Sequence, residues 1–279
     1  MHHNVGAGQS RSTRAQPEDD PLYKPDLYDI VTPASFRGDA EWYRRKARQC
    51  GGPVLELGAG TGRITLGIAQ DGVLVHALDA DPAMLERLVE KLAQQPPEVR
   101  QQVVPVVGDM RTFTLTERFA LIIAPFRAFL HNLTEHDQLA CLDRVREHLR
   151  PGGCFAFNVF HPSLEYMAHH TGALAGVWRR AATFPRDDGG CIVRSESNRY
   201  DTVRQIVDSQ HRYEEYGPDG LLSRTSLHRL QLAYLYPPDL RRLLKEAGFR
   251  SVQMAGGFDG RPFEHDTDEL VIEATIDAA

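Results

Sequence analysis

The residues of this chain with the clearest chemical potential stand in Val54-Leu-Glu-Leu-Gly-Ala-Gly-Thr-Gly-Arg63, where Gly58, Gly60 and Gly62 follow a short apolar run. Glycine lets the backbone take positive φ and lets a ligand lie against bare main chain. The helix that Ile64, Leu66 and Ile68 begin would offer unpaired N–H donors to a nucleotide. Spacing narrows the nucleotide. A dinucleotide fingerprint asks for Gly or Ala at the sixth position of G-x-G-x-x-G/A, and Arg63 occupies it. The pattern is instead acid-x-G-x-G-x-G, with Glu56 as the acid. About 20 residues past the first glycine, Asp79 ends the run Val73 to Leu78, and an acid at that strand end can accept both ribose hydroxyls. Helix capping, the plain explanation for an acid there, falls to Asp81 followed by Pro82.

Other candidates gather after later strands. Arg127 follows the run Phe119 to Ala124 and suits a carboxylate, phosphate or other acid of a ligand, against the plain reading of a surface arginine. His131 and His161 are candidate general bases, with Tyr200 and His211 behind them, although a histidine opening an apolar helix is commonly structural. Asn158 and His161 are delivered by the strand Cys154 to Phe160 to the same edge as the glycine turn.

The elements that must position these groups alternate. Strand readings at 54–57, 73–78, 102–107, 119–124 and 154–160 are separated by helical patterns, including one after Thr134, whose capping box with Asp137 precedes the stripe Leu139, Leu142, Val145 and Leu149. Residues 161–236 break the alternation. Ile192 to Tyr200, Val203 to Tyr213 and Leu222 to Leu235 read as antiparallel strands separated by the turns Asp187 to Gly190 and Gly217 to Gly220. A capped helix then runs from Pro237 to Gly248, followed by strands at 250–254 and 269–275.

Composition bounds the function. The chain has 279 residues, 42% of them hydrophobic, and a formal charge of −6. This suffices for a core and argues against nucleic acid, which needs clustered cations. Cys50, Cys141, Cys154 and Cys191 form no C-x-x-C pair, so neither zinc nor a disulfide framework is signalled. No apolar run reaches the ~18 residues of a membrane span and no signal-peptide core follows Met1. A cytoplasmic protein without membrane association is expected, with a small-molecule substrate and room for a homodimer.

The glycine turn, Asp79, the Gly108-Asp109 strand end and the Leu-Arg-Pro-Gly-Gly turn before the fifth strand resemble a class I S-adenosylmethionine (SAM) dependent methyltransferase over residues 54–160 and 237–276. The resemblance implies a doubly wound, mainly parallel seven-stranded sheet of Rossmann-like α/β type, with an antiparallel β cap inserted after the fifth strand. Its cofactor-binding domain would comprise 51–160 and 237–279. Residues 161–236 would be the substrate cap, 21–50 an N-terminal lid and 1–20 a mobile polar tail. The family likeness places Met84 on the adenosine, Asp109 on the adenine amino group and the Met110 N–H on a ring nitrogen. Ala59, Ala80 and Ala124 would lie along the cofactor. It also makes Tyr28 and Tyr43 lid contacts to the methionine carboxylate, with Arg37 a weaker third.

Methyl transfer from a sulfonium needs an aligned nucleophile, a dry pocket and removal of one proton, so no fixed catalytic motif is required. The acidic cluster of metal-dependent relatives is missing from Pro125 to Asn132, and no metal is expected. Ala124-Pro125-Phe126-Arg127 also lacks the polar group with which DNA-acting members grip a nucleobase. The expectation is N- or O-methylation of a small-molecule amine or hydroxyl, of natural-product or sugar type. The alternative is a SAM-binding protein with a regulatory or non-methylating use of the cofactor.

Overall fold

A computed structural model describes residues 24–32, 38–161, 163–266 and 268–278. The polar tail and Arg37 lie outside them. Seven strands form the first sheet: β1 Val54–Leu57, β2 Val75–Asp79, β3 Val103–Val107, β4 Phe119–Ala124, β5 Leu149–Phe160, β10 Ser251–Ala255 and β11 Glu269–Thr275, in the order β10-β11-β5-β4-β1-β2-β3. β1 to β5 pair in parallel and β11 runs antiparallel to both its neighbours. Every residue of β1 is buried, as expected of a central parallel strand covered on both faces.

Eight α-helices lie among the described residues: α1 Pro25–Val31, α2 Asp39–Cys50, α3 Thr65–Gln70, α4 Pro82–Ala93, α5 Pro97–Arg100, α6 Glu135–His148, α7 Leu164–Ala168 and α8 Pro237–Glu246, with short 3-10 helices at Ala128–His131 and Gly172–Leu174. Local chemistry starts two of them where the sequence places their caps. Asp81 accepts from the Ala83 N–H at 2.9 Å with Pro82 in the first turn, and Thr134 accepts from the Asp137 N–H at 3.1 Å. On α4, Leu85, Leu88 and Leu92 share one buried face by their spacing of three and four.

The second sheet is antiparallel and inserted between β5 and α8, with β6 Arg179–Pro185, β7 Cys191–Asp201, β8 Ile206–Tyr216 and β9 Leu222–Ala233 in sequential order. It differs from the sequence reading in two places. β6 is an additional strand at the sheet's edge, where Pro185 is tolerated because no further neighbour needs its missing N–H. Val203, expected inside a strand, lies in the turn before β8, where the Asp201 carboxylate accepts from the N–H groups of Val203 and Arg204 at 3.0 and 2.9 Å.

Candidate active site

A cavity of about 1200 Å³ lies between the carboxyl ends of β1 to β5 and the inner face of the second sheet. Tyr28, Gly58, Gly60, Asp79, Ala80, Met84, Asp109 and Met110 line it, as do Arg127, His131, His161, Tyr200 and His211. A pocket for a single drug-sized ligand is roughly 300–1,000 Å³, and a cavity above that range has room for a nucleotide and a second small molecule.

The nucleotide end follows from local backbone. Gly58 and Gly60 adopt φ of 71° and 57°, exposing main chain to the cavity. Asp79 folds back on this turn, accepting the Gly60 N–H at 2.7 Å and the Asp81 N–H at 2.9 Å. Burial raises its carboxyl pKa, opposed by those backbone donors. Leu78, Met84 and Met110 give the same end an apolar wall. Bare glycine backbone, an acid for a ribose and an apolar slot fit the adenosine and methionine parts of SAM.

Asp109 is already engaged. Arg111 grips its carboxylate through Nε at 2.9 Å and a terminal nitrogen at 2.5 Å, and reaches Asp137 at 3.1 Å. The guanidinium holds the Asp109 carboxyl below its usual range. An adenine amino group would therefore share this acid with Arg111, a residue that sequence reasoning missed although it stands only two positions on.

Five expected cofactor residues stand behind the cavity wall. Glu56 is buried beneath the turn with the Thr65 hydroxyl donating to it at 2.5 Å, and burial pushes its carboxyl up to about 8. Ala59 packs with Leu85 and Leu88, and Ala124 belongs to the core under the sheet. A Cβ on Gly62 would lie 2.2 Å from a Leu88 methyl, so this glycine brings α4 close to the turn. Tyr43 is fully buried on α2, and its hydroxyl donates to Asn158 Oδ1 at 2.8 Å.

Tyr43 begins a polar relay. Asn158 Nδ2 donates to Glu269 Oε1 at 2.6 Å, and Glu269 takes both Nε and a terminal nitrogen of Arg127 at 3.0 and 2.6 Å. The Arg127 guanidinium also lies 5.1 Å from the Phe160 ring centre. Arg127 therefore meets any ligand acid as a cation already shared with Glu269, the partner that sequence reasoning did not find. Phe126 and Arg127 both take positive φ, 54° and 66°, a backbone strain that this bidentate pair helps to hold. Tyr43→Phe should cost about 1 kcal/mol in urea unfolding, the worth of one buried hydrogen bond, and leave cofactor affinity unchanged. A matching loss of cofactor affinity would return Tyr43 to the ligand.

The candidate bases differ in surroundings. Burial pushes His131 down to about 4. His211 reaches about 4 through burial, with Arg194 and His228 adding to the effect. His161 packs edge-on to Tyr236 and Phe263, at centroid distances of 5.3 and 5.4 Å. Burial raises the Tyr200 hydroxyl above its ordinary range.

On α1, Tyr28 faces Gly60 and meets Phe126 edge-on at 6.1 Å, and burial pushes its hydroxyl to about 12. The neighbouring Asp29 is bound by Thr61 Oγ1 at 2.6 Å, Lys91 Nζ at 2.5 Å and Arg87 Nε at 3.0 Å. On the other side of α1, Leu27 and Val31 pack with Phe184, Ile192 and Tyr213 of the second sheet.

The chain is similar to several known proteins. Residues 54–153 match the family described as a methyltransferase domain. The cypemycin N-terminal methyltransferase of a Streptomyces species is 24% identical over 251 residues, covering 88% of this chain and 93% of that protein. The uncharacterized methyltransferase YrrT of Bacillus subtilis is 31% identical over 140 residues, 50% of this chain and 62% of its own length. The solved structure of the CcbJ methyltransferase from Streptomyces caelestis is 28% identical, with a TM-score of 0.73 over 88% of this chain and 98% of that one.

Proposed function

We propose that this chain, a class I SAM-dependent methyltransferase, methylates a basic nitrogen of a small-molecule acceptor held beneath the second sheet. The charge of the cavity wall carries this reading. Asp79, Asp81, Asp109, Glu196, Asp266, Asp268 and Glu269 outnumber Arg111, Arg127 and Arg194. His131 and His211, near 4, add no positive charge at pH 7. A cleft of one sign concentrates ligands of the other, here an ammonium.

Proton chemistry favours the same acceptor. An alcohol holds its proton about as tightly as water, near pKa 15.7, and histidines near 4 are poor bases for it. An amino group of pKa about 8 gives up its proton far more readily, to solvent water and without a side-chain base, and the lone pair so freed is what accepts the methyl group. The cofactor supplies an electrophilic methyl group on a sulfonium. The chain's part is to position: Asp79 and the bare backbone at Gly58 and Gly60 hold one partner, the inner face of the second sheet holds the other, and closure between them excludes water. The name of the cypemycin relative, an N-terminal methyltransferase, supports nitrogen as the acceptor.

Paired acceptors test the proposal. With SAM and a set of amines, each matched to the alcohol of the same skeleton, mass spectrometry should show methylation among the amines and none among the alcohols. Turnover confined to the alcohols would sink the nitrogen assignment. SAM binding without turnover on either class would favour a regulatory or non-methylating use.

A further inference from the structure

Glu196 stands on β7 in the middle of the cavity's roof. Strand register places it opposite His211, which is opposite His228 on β9. Four residues along β7 lies the row Tyr200, Val207 and Leu232, whose Leu232 packs against the core cluster that holds Ala128, Phe129 and Leu130. Two residues the other way, the row Arg194 and Tyr213 approaches the end of the sheet covered by α1. Glu196 thus faces the space between the two ends of the cavity.

A hydrogen-bond chain with a fixed direction leads to it. Ser209 gives its hydroxyl proton to Asn198 Oδ1 at 2.6 Å, so it receives the Nε2–H of His211 at 3.0 Å. That tautomer leaves His211 Nδ1 to accept from the Tyr213 hydroxyl at 3.4 Å. Asn198 Nδ2 donates to the Tyr166 oxygen at 2.9 Å, and the Tyr166 proton points to Glu196 Oε1 at 3.4 Å. Tyr213, His211, Ser209, Asn198 and Tyr166 each donate toward the next, and Glu196 is the terminal acceptor. Such a chain polarises cooperatively toward an anion at its end.

The other cavity carboxylates are differently occupied. Asp79 takes two backbone N–H groups and Asp81 caps α4. Asp109 is gripped by Arg111, Glu269 by Arg127 and Asp268 by Arg261 at 2.9 Å, while Asp266 is exposed at the rim. Glu196 Oε2 forms a long ion pair with Arg194 at 3.9 Å and no hydrogen bond to it, the loosest pairing among these carboxylates.

We infer that Glu196 is the acceptor-binding carboxylate, taking the ammonium of the substrate amine on Oε2 and thereby selecting basic nitrogen over neutral acceptors. The inference rests on the nitrogen reading above. It deepens that reading by assigning recognition to one side chain, oriented by the Tyr166 hydroxyl, which Asn198 in turn holds.

Benzylamine at pH 7, a cation, and benzyl alcohol, its neutral counterpart, serve as probes with the demethylated cofactor product present so that no turnover occurs. Calorimetry should show benzylamine binding about 10-fold or more weaker in Glu196→Gln, the size of one lost charge-assisted contact. Glu196→Asp should recover part of it, and Tyr166→Phe should weaken it less than Glu196→Gln does. Benzyl alcohol binding and SAM affinity should be the same in all variants, the latter certifying the fold. Equal benzylamine affinity in wild type and Glu196→Gln, or no benzylamine binding to wild type at millimolar concentration, overturns the assignment. The paired-acceptor turnover assay is read separately, so nitrogen methylation with an indifferent Glu196 would refute only the inference drawn here.

Discussion

Replacing Asp79 by Ala is expected to weaken SAM binding about 10- to 150-fold, the counterpart of ~1.5–3 kcal/mol for a charge-assisted hydrogen-bonded contact. The carboxylate lines the cavity at the end of β2 and holds the glycine turn through the Gly60 N–H. The alanine lacks the carboxylate expected to accept the ribose hydroxyls and leaves the Gly60 N–H without its acceptor. Asp79→Asn keeps an acceptor and the shape but not the charge, and should fall between wild type and Ala. Isothermal titration of the three proteins, each checked for cooperative unfolding, measures the series. Unchanged affinity in the Ala variant would remove Asp79 from the cofactor site.

The second large effect is on stability against pH. Burial pushes Glu56 from its ordinary 4.5 up to about 8, so between these values the folded chain keeps a proton that the unfolded chain releases. Stability from this group is present below pH 4.5 and is lost as pH rises toward 8. His131 and His211 work in the opposite sense. Lowered from 6.5 to about 4, they make the folded state gain stability as pH rises from 4 to 6.5. Above 6.5 their contribution is complete and Glu56 alone continues. The cofactor-free protein should lose about 2 kcal/mol between pH 6.5 and 8, from roughly 1.4 kcal/mol per unit of pH for one proton. Glu56→Gln cannot release that proton and should flatten the decline. Urea titrations of both proteins across that range decide it, and parallel slopes would mean that Glu56 is ionised in its buried site.

The parts of the fold legible in the sequence are those set by neighbours along the chain. The apolar run into three glycines, the Asp81 and Thr134 caps, and the acid ending β2 each involve residues within a few positions of one another. The loss of strand-helix alternation after β5 likewise reveals the inserted antiparallel sheet. What stayed hidden joins distant segments. Tyr43 and Asn158 lie 115 positions apart, Arg127 and Glu269 lie 142 apart, and no spacing rule connects them. An aromatic residue near a cofactor site and an aromatic residue in the core look alike until the fold supplies the partner. Glu56 matches the acid of the glycine motif, but a strand buried on both faces turns its side chain beneath the turn. Arg111 was within reach of a local argument, because a guanidinium two residues past an acid at a turn can close back on it.

A helix of seven residues cannot hold its own shape in water, so α1 owes its order to what it touches. It touches both walls of the cavity, the glycine turn and α4 through Tyr28 and Asp29, and the second sheet through Leu27 and Val31. The leading helix of the described chain therefore ties the two walls together, by charged and polar contacts on one side and apolar contacts on the other, so high salt should loosen its hold on the glycine turn and α4 before its hold on the second sheet.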